Sequence, residues 1–273
     1  MTKGVIDIGS NSVRLMLLGD NKSKRLVTTS LGRGLQKTGR LGKIEMEDTF
    51  LAIADFIKGL DDIYLFATEA VRVATNSKEF CDAIYDRFGL KVDILSKQEE
   101  AQAGYLGAVG NNIASVIDIG GASTEFATGG DSLVATSIPL GAVRLTDMSI
   151  DGLDTDTHIE STLPEFDFNR EVYGIGGTIT SVATMVLDLD TYQVDKVHGY
   201  KLTSGKINQL YKDILDLDGA QIYSRYPVIG QKRALVIKEG VHLLTKIISH
   251  YNIDTIIVSD SDNTEGYLLL RNL

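Results

Sequence analysis

The sequence predicts an α/β protein of two domains, each a mixed β-sheet flanked by helices, and three observations predict it. The first is an internal repeat: "VIDIGSNSVRL" begins at Val5 and "VIDIGGASTEF" at Val116. Aligned without a gap, Val, Ile, Asp, Ile, Gly and a later Ser recur. The second is local pattern, because each copy is a β-branched run, a Gly/Ser turn and a second apolar run, which reads as a strand–turn–strand hairpin. The third is segment order: in both halves the hairpin is succeeded by a further strand and then by alternating helices and strands.

In the first half, "KRLVTTSLG" reads as a third strand and "MEDTFLAIADFIKGL" as a helix, its apolar residues recurring every three to four positions. "IYLFAT" is then a strand, "SKEFCDAIYDRF" a helix, "KVDILS" a strand and "KQEEAQAGYLGAV" a helix. The turn Gly110-Asn111-Asn112 sets the expected boundary, giving domains 1–112 and 113–273.

The second half repeats the order, with "SVIDIGG", "TEFATG" and "SLVATSIPL" as strands and a helix from about Gly141. The acidic stretch Asp147 to Asn169 reads as a solvated helix-loop connection. "EVYGIGG" is a strand entering the helix "TITSVATMVLDL"; "SGKINQLYKDILDL" and "RALVIKEGVHLLTKIISHYN" are amphipathic helices. "DTIIVSD" is a buried strand and "EGYLLLRNL" a terminal helix.

Composition narrows the function. Of 273 residues, 43% are hydrophobic and 23% charged, enough for a buried core. One cysteine, Cys81, excludes an internal disulfide and suits a reducing compartment; its amphipathic setting reads as core packing rather than a catalytic thiol. No apolar run approaches a membrane span and the N-terminus lacks the build of a signal peptide, so the expected location is cytoplasmic, with no membrane partner. A net charge of −10 argues against nucleic-acid binding, which draws its affinity from Lys and Arg. A small phosphorylated ligand stays open if positive charge or metal is concentrated locally.

The turns carry the chemistry. In Asp7 to Arg14, a Gly/Ser turn exposes successive backbone N–H groups that suit phosphate oxygens, Ser10, Asn11 and Ser12 add donors, and Arg14 supplies a forked cation. A structural hairpin explains this segment equally well. The second copy, Asp118 to Glu125, repeats the donors through Gly120, Gly121, Ala122 and Ser123 and ends in a carboxylate where the first has Arg14. A third turn, Gly174 to Thr178, aims the amides of Gly176, Gly177 and Thr178 from a helix start, although a plain strand-to-helix turn also fits. It meets neither the P-loop nor the dinucleotide spacing. Arg72, just past a strand, reads as a phosphate contact or as surface charge. Glu99 and Glu100 open a helix, where acidic residues often only complement the helix dipole.

Taken together, "IDIGSNSVRL", "ATEAVRVATN", "SKQEEAQAGYLGAV", "VIDIGGASTEF", "IPLGAVRLTD", "GIGGTITSVA", "VHGYKLT" and "VSDSDNTEG" resemble, in order, the exopolyphosphatase and guanosine pentaphosphate phosphohydrolase family of the sugar kinase, Hsp70 and actin superfamily. The resemblance covers nearly the whole chain. It implies two ribonuclease-H-like (actin-like ATPase) domains with mixed sheets and an active-site cleft between them, in a fold whose last helix can pack back on the first domain. It also implies a hydrolase that releases terminal phosphate from polyphosphate or a phosphorylated guanosine nucleotide. Glu100 becomes the general base with Glu99 as fallback, Asp118 and Glu125 hold metal or position water, and Arg14 and Arg72 contact phosphate.

Physical chemistry agrees with a metal. Carboxylates at Asp7, Glu100, Asp118 and Glu125 facing a polyanion at ~4 Å would each cost about 4 kcal/mol at an effective dielectric near 20. A divalent cation reverses that sign. The four histidines are scattered, leaving an oxygen-ligated Mg²⁺, with Mn²⁺ as the substitute, rather than zinc. The expectation admits ADP or ATP in the same cleft, a homodimer, and hinge motion near Gly110 on ligand binding.

Departures from the family pattern favour one alternative. Ala122 stands where a third Gly is usual, Thr264 where an Arg precedes "EG", and Leu235 where an acid completes "RAD". The chain also ends without the helical extension of longer relatives, which puts processive action on long polyphosphate in doubt. The alternative is a nucleotide, alarmone or polyphosphate sensor that keeps the fold and loses turnover. A small-molecule kinase lacks an acceptor-binding insertion, and nothing resembles a filament contact.

Overall fold

The computed structural model describes residues 2–19, 23–129, 132–168 and 171–273. Asn169, the last residue of the acidic stretch, lies outside them.

The chain divides into two compact units, Met1–Glu100 and Ala101–Leu273. The division falls inside the helix Lys97–Val109, which begins in one unit and ends in the other. The turn expected as the boundary follows that helix, where Gly110 takes a φ of +61°.

Unit one holds β1 (Lys3–Ile8), β2 (Ser12–Leu18), β3 (Ser23–Thr28), β4 (Asp62–Ala67) and β5 (Asp93–Ile94), in the spatial order β3-β2-β1-β4-β5. The β1–β2 and β2–β3 pairs are antiparallel, while β4 runs parallel to both β1 and β5. Unit two holds β6 (Ser115–Ile119), β7 (Thr124–Thr128), β8 (Val134–Ile138), β9 (Val172–Ile175), β10 (Lys201–Thr203) and β11 (Thr255–Val258). Read from its β8 edge, this sheet runs β8-β7-β6-β9-β11, the same order and sense, with β10 added antiparallel on the far edge. The duplicated motif is thus a duplicated sheet.

The register extends the equivalence to single residues. Asp7 pairs with Arg14 across β1–β2, and Asp118 pairs with Glu125 across β6–β7. The helix Lys43–Phe56 turns Met46, Phe50, Ile53 and Phe56 inward at three- to four-residue spacing and covers the first sheet with Ile6, Ile8, Val13 and Leu15. In unit two, Ile237–His250 buries Ile237, Val241, Leu244 and Ile248 against Ile117, Ile179 and Leu210. Cys81 packs half-buried against the first core, and burial pushes its thiol up, as a structural cysteine requires.

Two of the elements expected from the sequence are shorter or broken. The fifth strand is only Asp93–Ile94: Leu95 still donates to Ala67 O, but Ser96 O already accepts from Glu100 N–H at the start of the next helix. The long helix expected from Arg233 is broken: Gln231–Ala234 forms a short helix, Val236 leaves helical geometry at φ −121°, and the main helix starts at Ile237.

Candidate functional site

In each unit the sequence-identified residues gather at the carboxyl ends of parallel strands, where open α/β sheets place their ligands.

In unit one, the turn after β1 is closed by Gly9 N–H donating to the Ser12 carbonyl (3.0 Å). The chain after β3 satisfies the turn from outside: Thr29 and Ser30 donate to Asn11 O, and Gly32 donates to Ser10 O. Ser10, Asn11 and Ser12 are buried. Asp7 and Arg14 approach to 4.0 Å.

The segments after β4 and β5 meet around Arg72, on the short helix Glu69–Val73. Its guanidinium pairs with Glu100 at 2.8 Å and with Glu69, and donates to the Leu95 carbonyl. Burial opposes the charge on Arg72, but Glu100 and then Glu69 more than offset it and raise its pKa above the usual arginine value. Glu100, in the first turn of Lys97–Val109, is thus a buried, charge-paired carboxylate rather than a surface residue complementing the helix dipole. Glu69 is buried as well and was missed; its i,i+3 spacing to Arg72 was the available signal.

In unit two the second turn has the same closure, Gly120 N–H to Ser123 O at 3.0 Å. The helix Ala142–Ile150 donates its first amides into the turn: Ala142 to Gly120 O, and Val143 and Arg144 to Gly121 O. Gly141 permits this approach, since a Cβ there would lie 2.6 Å from Gly121 C and 2.7 Å from Ala122 N. With the carbonyls occupied, the amides of Gly121, Ala122 and Ser123 donate to no backbone carbonyl among the described residues. Ala122 sits at ordinary negative φ, so its methyl costs the turn no backbone strain.

Beside this turn, the helix Gly176–Val186 starts without a side-chain cap. Gly176 has a φ of +83°, and a side chain there would run into the Asp118 carboxylate. Thr178 is buried, and its side chain borders Gly240, where a Cβ would lie 2.7 Å from Thr178 Cγ2. The third arrival is the helix Asn263–Arg271 after β11, whose Asn263 Nδ2 donates to Asp118 Oδ2 at 3.2 Å. Glu125, cross-strand from Asp118, accepts from Ser137 Oγ at 2.8 Å. Asn263, Ser137 and Gly141 were not singled out in the sequence, because only packing reveals them.

The two departures late in the chain have distinct fates. Thr264 is buried and serves the helix cap, its amide and hydroxyl both donating to Asp262 Oδ1. Leu235 is half-exposed and lies over Gly219. Among the described residues no three His, Cys, Asp or Glu side chains are grouped to hold a metal, and no helix is long and apolar enough to cross a membrane.

Two copies of one five-strand order, each with a closed turn after its central strand, define an actin-like α/β protein. The family model described as the Ppx/GppA phosphatase family matches residues 5–272, and the chain belongs to that family. It is 25% identical to exopolyphosphatase 2 of Mycobacterium tuberculosis over 97% of this chain and 96% of that protein. It is 28% identical to the bifunctional 3-dehydroquinate synthase/phosphatase of Fusobacterium nucleatum over 97% of this chain, but spans only 46% of that longer relative. Among solved structures it is similar to the Aquifex aeolicus PPX-GPPA enzyme, at 30% identity and a TM-score of 0.76 over 98% of this chain and 99% of that one. An exopolyphosphatase-like protein gives 25% identity and a TM-score of 0.87 over 99% and 97%.

Proposed function

We propose that this chain is a phosphoanhydride hydrolase that releases terminal phosphate from inorganic polyphosphate or guanosine pentaphosphate by metal-assisted water attack. One observation carries the reading: the second turn, an uncapped helix start and the Asn263 side chain all converge on one buried carboxylate, Asp118. Free amides and a helix N-terminus suit an anion. A carboxylate among them suits an anion only if a cation accompanies it.

The donors at hand fit a hard divalent ion. Asp118 and Glu125 in unit two, like Asp7 in unit one, offer oxygen alone, and Gly176 leaves room for the Asp118 carboxylate that a Cβ would fill. Mg²⁺ keeps several of its waters and needs only one or two carboxylates, so a closed protein cage is not required. When bound, such an ion would spread the charge of the phosphate oxygens.

The protein's own groups would do the rest. In unit two, amides of Gly121, Ala122, Ser123, Gly176, Gly177 and Thr178 would hold phosphate oxygens; in unit one, Ser10, Asn11 and Ser12 offer donors and Arg14 a charge-assisted contact. Arg72 holds Glu100 in place until a phosphate competes for its guanidinium. The Glu100 carboxylate then accepts a proton from the attacking water.

Phosphate release from tripolyphosphate, longer polyphosphate, guanosine pentaphosphate and ATP tests this reading. Glu100→Gln is expected to lower kcat by roughly 10²–10⁴-fold while substrate binding survives. Near-normal turnover in that variant would remove Glu100 from the mechanism. A sensor is the second reading, favoured by the inward-facing Thr264 and by the Glu100–Arg72 pair. Tight binding of these anions by the native chain, without release at saturating Mg²⁺, would establish the sensor instead.

A further inference from the structure

Asp118 is buried, yet the residue that holds it is not one the turn motifs contain. Asn263 is 5% exposed and reaches Asp118 from a different element, the first position of the helix Asn263–Arg271. The helix does not need it for capping. Asp262 and Glu265 form a reciprocal capping box there, and Thr264 supports it. The Asn263 carboxamide is therefore available for another task.

Its orientation follows from chemistry. An ionised carboxylate only accepts, so the group facing Asp118 Oδ2 must be the NH₂, and the carboxamide oxygen must face away. That oxygen is buried and has no hydrogen-bond partner among the described residues. Gly104 borders it, since a Cβ at that position would lie 3.0 Å from Asn263 Oδ1. With that oxygen enclosed beside Gly104, the polar contact the carboxamide makes is the one to the buried Asp118 carboxylate.

We propose that Asn263 is a positioning residue for divalent-cation binding: its NH₂ fixes the Asp118 carboxylate that would hold the ion. The inference rests on the metal-assisted reading above and adds a residue outside both glycine turns. Partners that orient a metal-binding carboxylate are commonly worth 10–100-fold in metal affinity.

The test is Mn²⁺ binding to the whole chain without substrate, read from the electron paramagnetic resonance of the free ion. Asn263→Leu keeps the volume and removes both polar atoms, and its Mn²⁺ affinity is expected to fall about 10–100-fold. The Mg²⁺ concentration for half-maximal phosphate release should rise in parallel, with kcat at saturating Mg²⁺ little changed. Thermal unfolding identifies a variant that fails to fold; Asn263→Ala, which makes no new contacts, then carries the measurement. Native-like Mn²⁺ affinity in a folded variant overturns the role of Asn263. A native chain that binds no Mn²⁺ and releases no phosphate overturns the metal-assisted reading itself, and this inference with it.

Discussion

Arg72 faces two glutamates with one positive charge, so its removal leaves two buried carboxylates facing each other. Its side chain is 16% exposed, against 3% for Glu69 and 6% for Glu100. Breaking a buried pair by deleting one partner costs about 3–5 kcal/mol, mostly because the remaining charge stays buried. Arg72→Ala is therefore expected to destabilise unit one by about that amount in urea unfolding. The informative variant is the double one. Arg72→Ala with Glu69→Gln removes one of the two stranded charges and should recover part of the loss, whereas independent contacts would add. Simple additivity in that cycle would mean that the three side chains do not share one charge balance.

At the scale of elements, what the sequence disclosed tracks how each segment is held. Ser77–Phe88 and Lys97–Val109 have the limits read from the sequence, because apolar spacing and helix-ending glycines are local signals. Leu35–Thr38, Gly219–Arg225 and β10 went unread. They are short, and packing or a single cap holds them; the Asp218–Gln221 capping box was the one signal available. The same division governs the site. Both turns were visible as a repeat, whereas Asn263 and Ser137 depend on which strands become neighbours. The acidic connection gained its meaning only from packing. Its helix Thr155–Thr162 meets Ile237–His250 through His242, whose ring nitrogens approach Asp156 Oδ1 (3.3 Å) and Glu239 Oε2 (3.4 Å) and whose face stacks on Tyr211. Lys246 completes the junction on Asp156 and Glu160. Burial opposes charge on His242, but Glu239 and then Asp156 more than compensate, so its pKa is raised above 6.5. The hydrogen bond from Lys246 keeps Asp156 below the usual carboxylate range and hence ionised. A raised native pKa gives stability that is complete below the unfolded value and is lost as pH rises through the folded one. His242→Gln should therefore lower the melting temperature most near pH ~5.5 and less at pH ~9. A deficit equal at both pH values would show that the ring acts by packing alone.

For the whole molecule, duplication explains both what the two units share and what separates them. The same closed turn and strand order were copied, but the position cross-strand from the aspartate carries Arg14 in one unit and Glu125 in the other. One register position thus carries a cation in the first unit and a carboxylate in the second. Charge balance across the chain then bears on how a polyanion arrives. The net charge is −10, and Arg72, a largely shielded cation of unit one, is already offset by Glu69 and Glu100. Long-range attraction is therefore missing; in the hydrolase reading proposed above, contacts at close range must hold an anion that the molecular field repels. Screening shortens that repulsion more than it weakens short contacts, since the Debye length falls from roughly 30 Å at 0.01 M to about 8 Å at 0.15 M. With free Mg²⁺ held fixed, kcat/KM for tripolyphosphate is expected to rise severalfold as potassium chloride increases over that range. A basic steering surface would give the opposite slope, so a steady fall in kcat/KM with salt would mean that local positive charge, not the acidic whole, governs encounter.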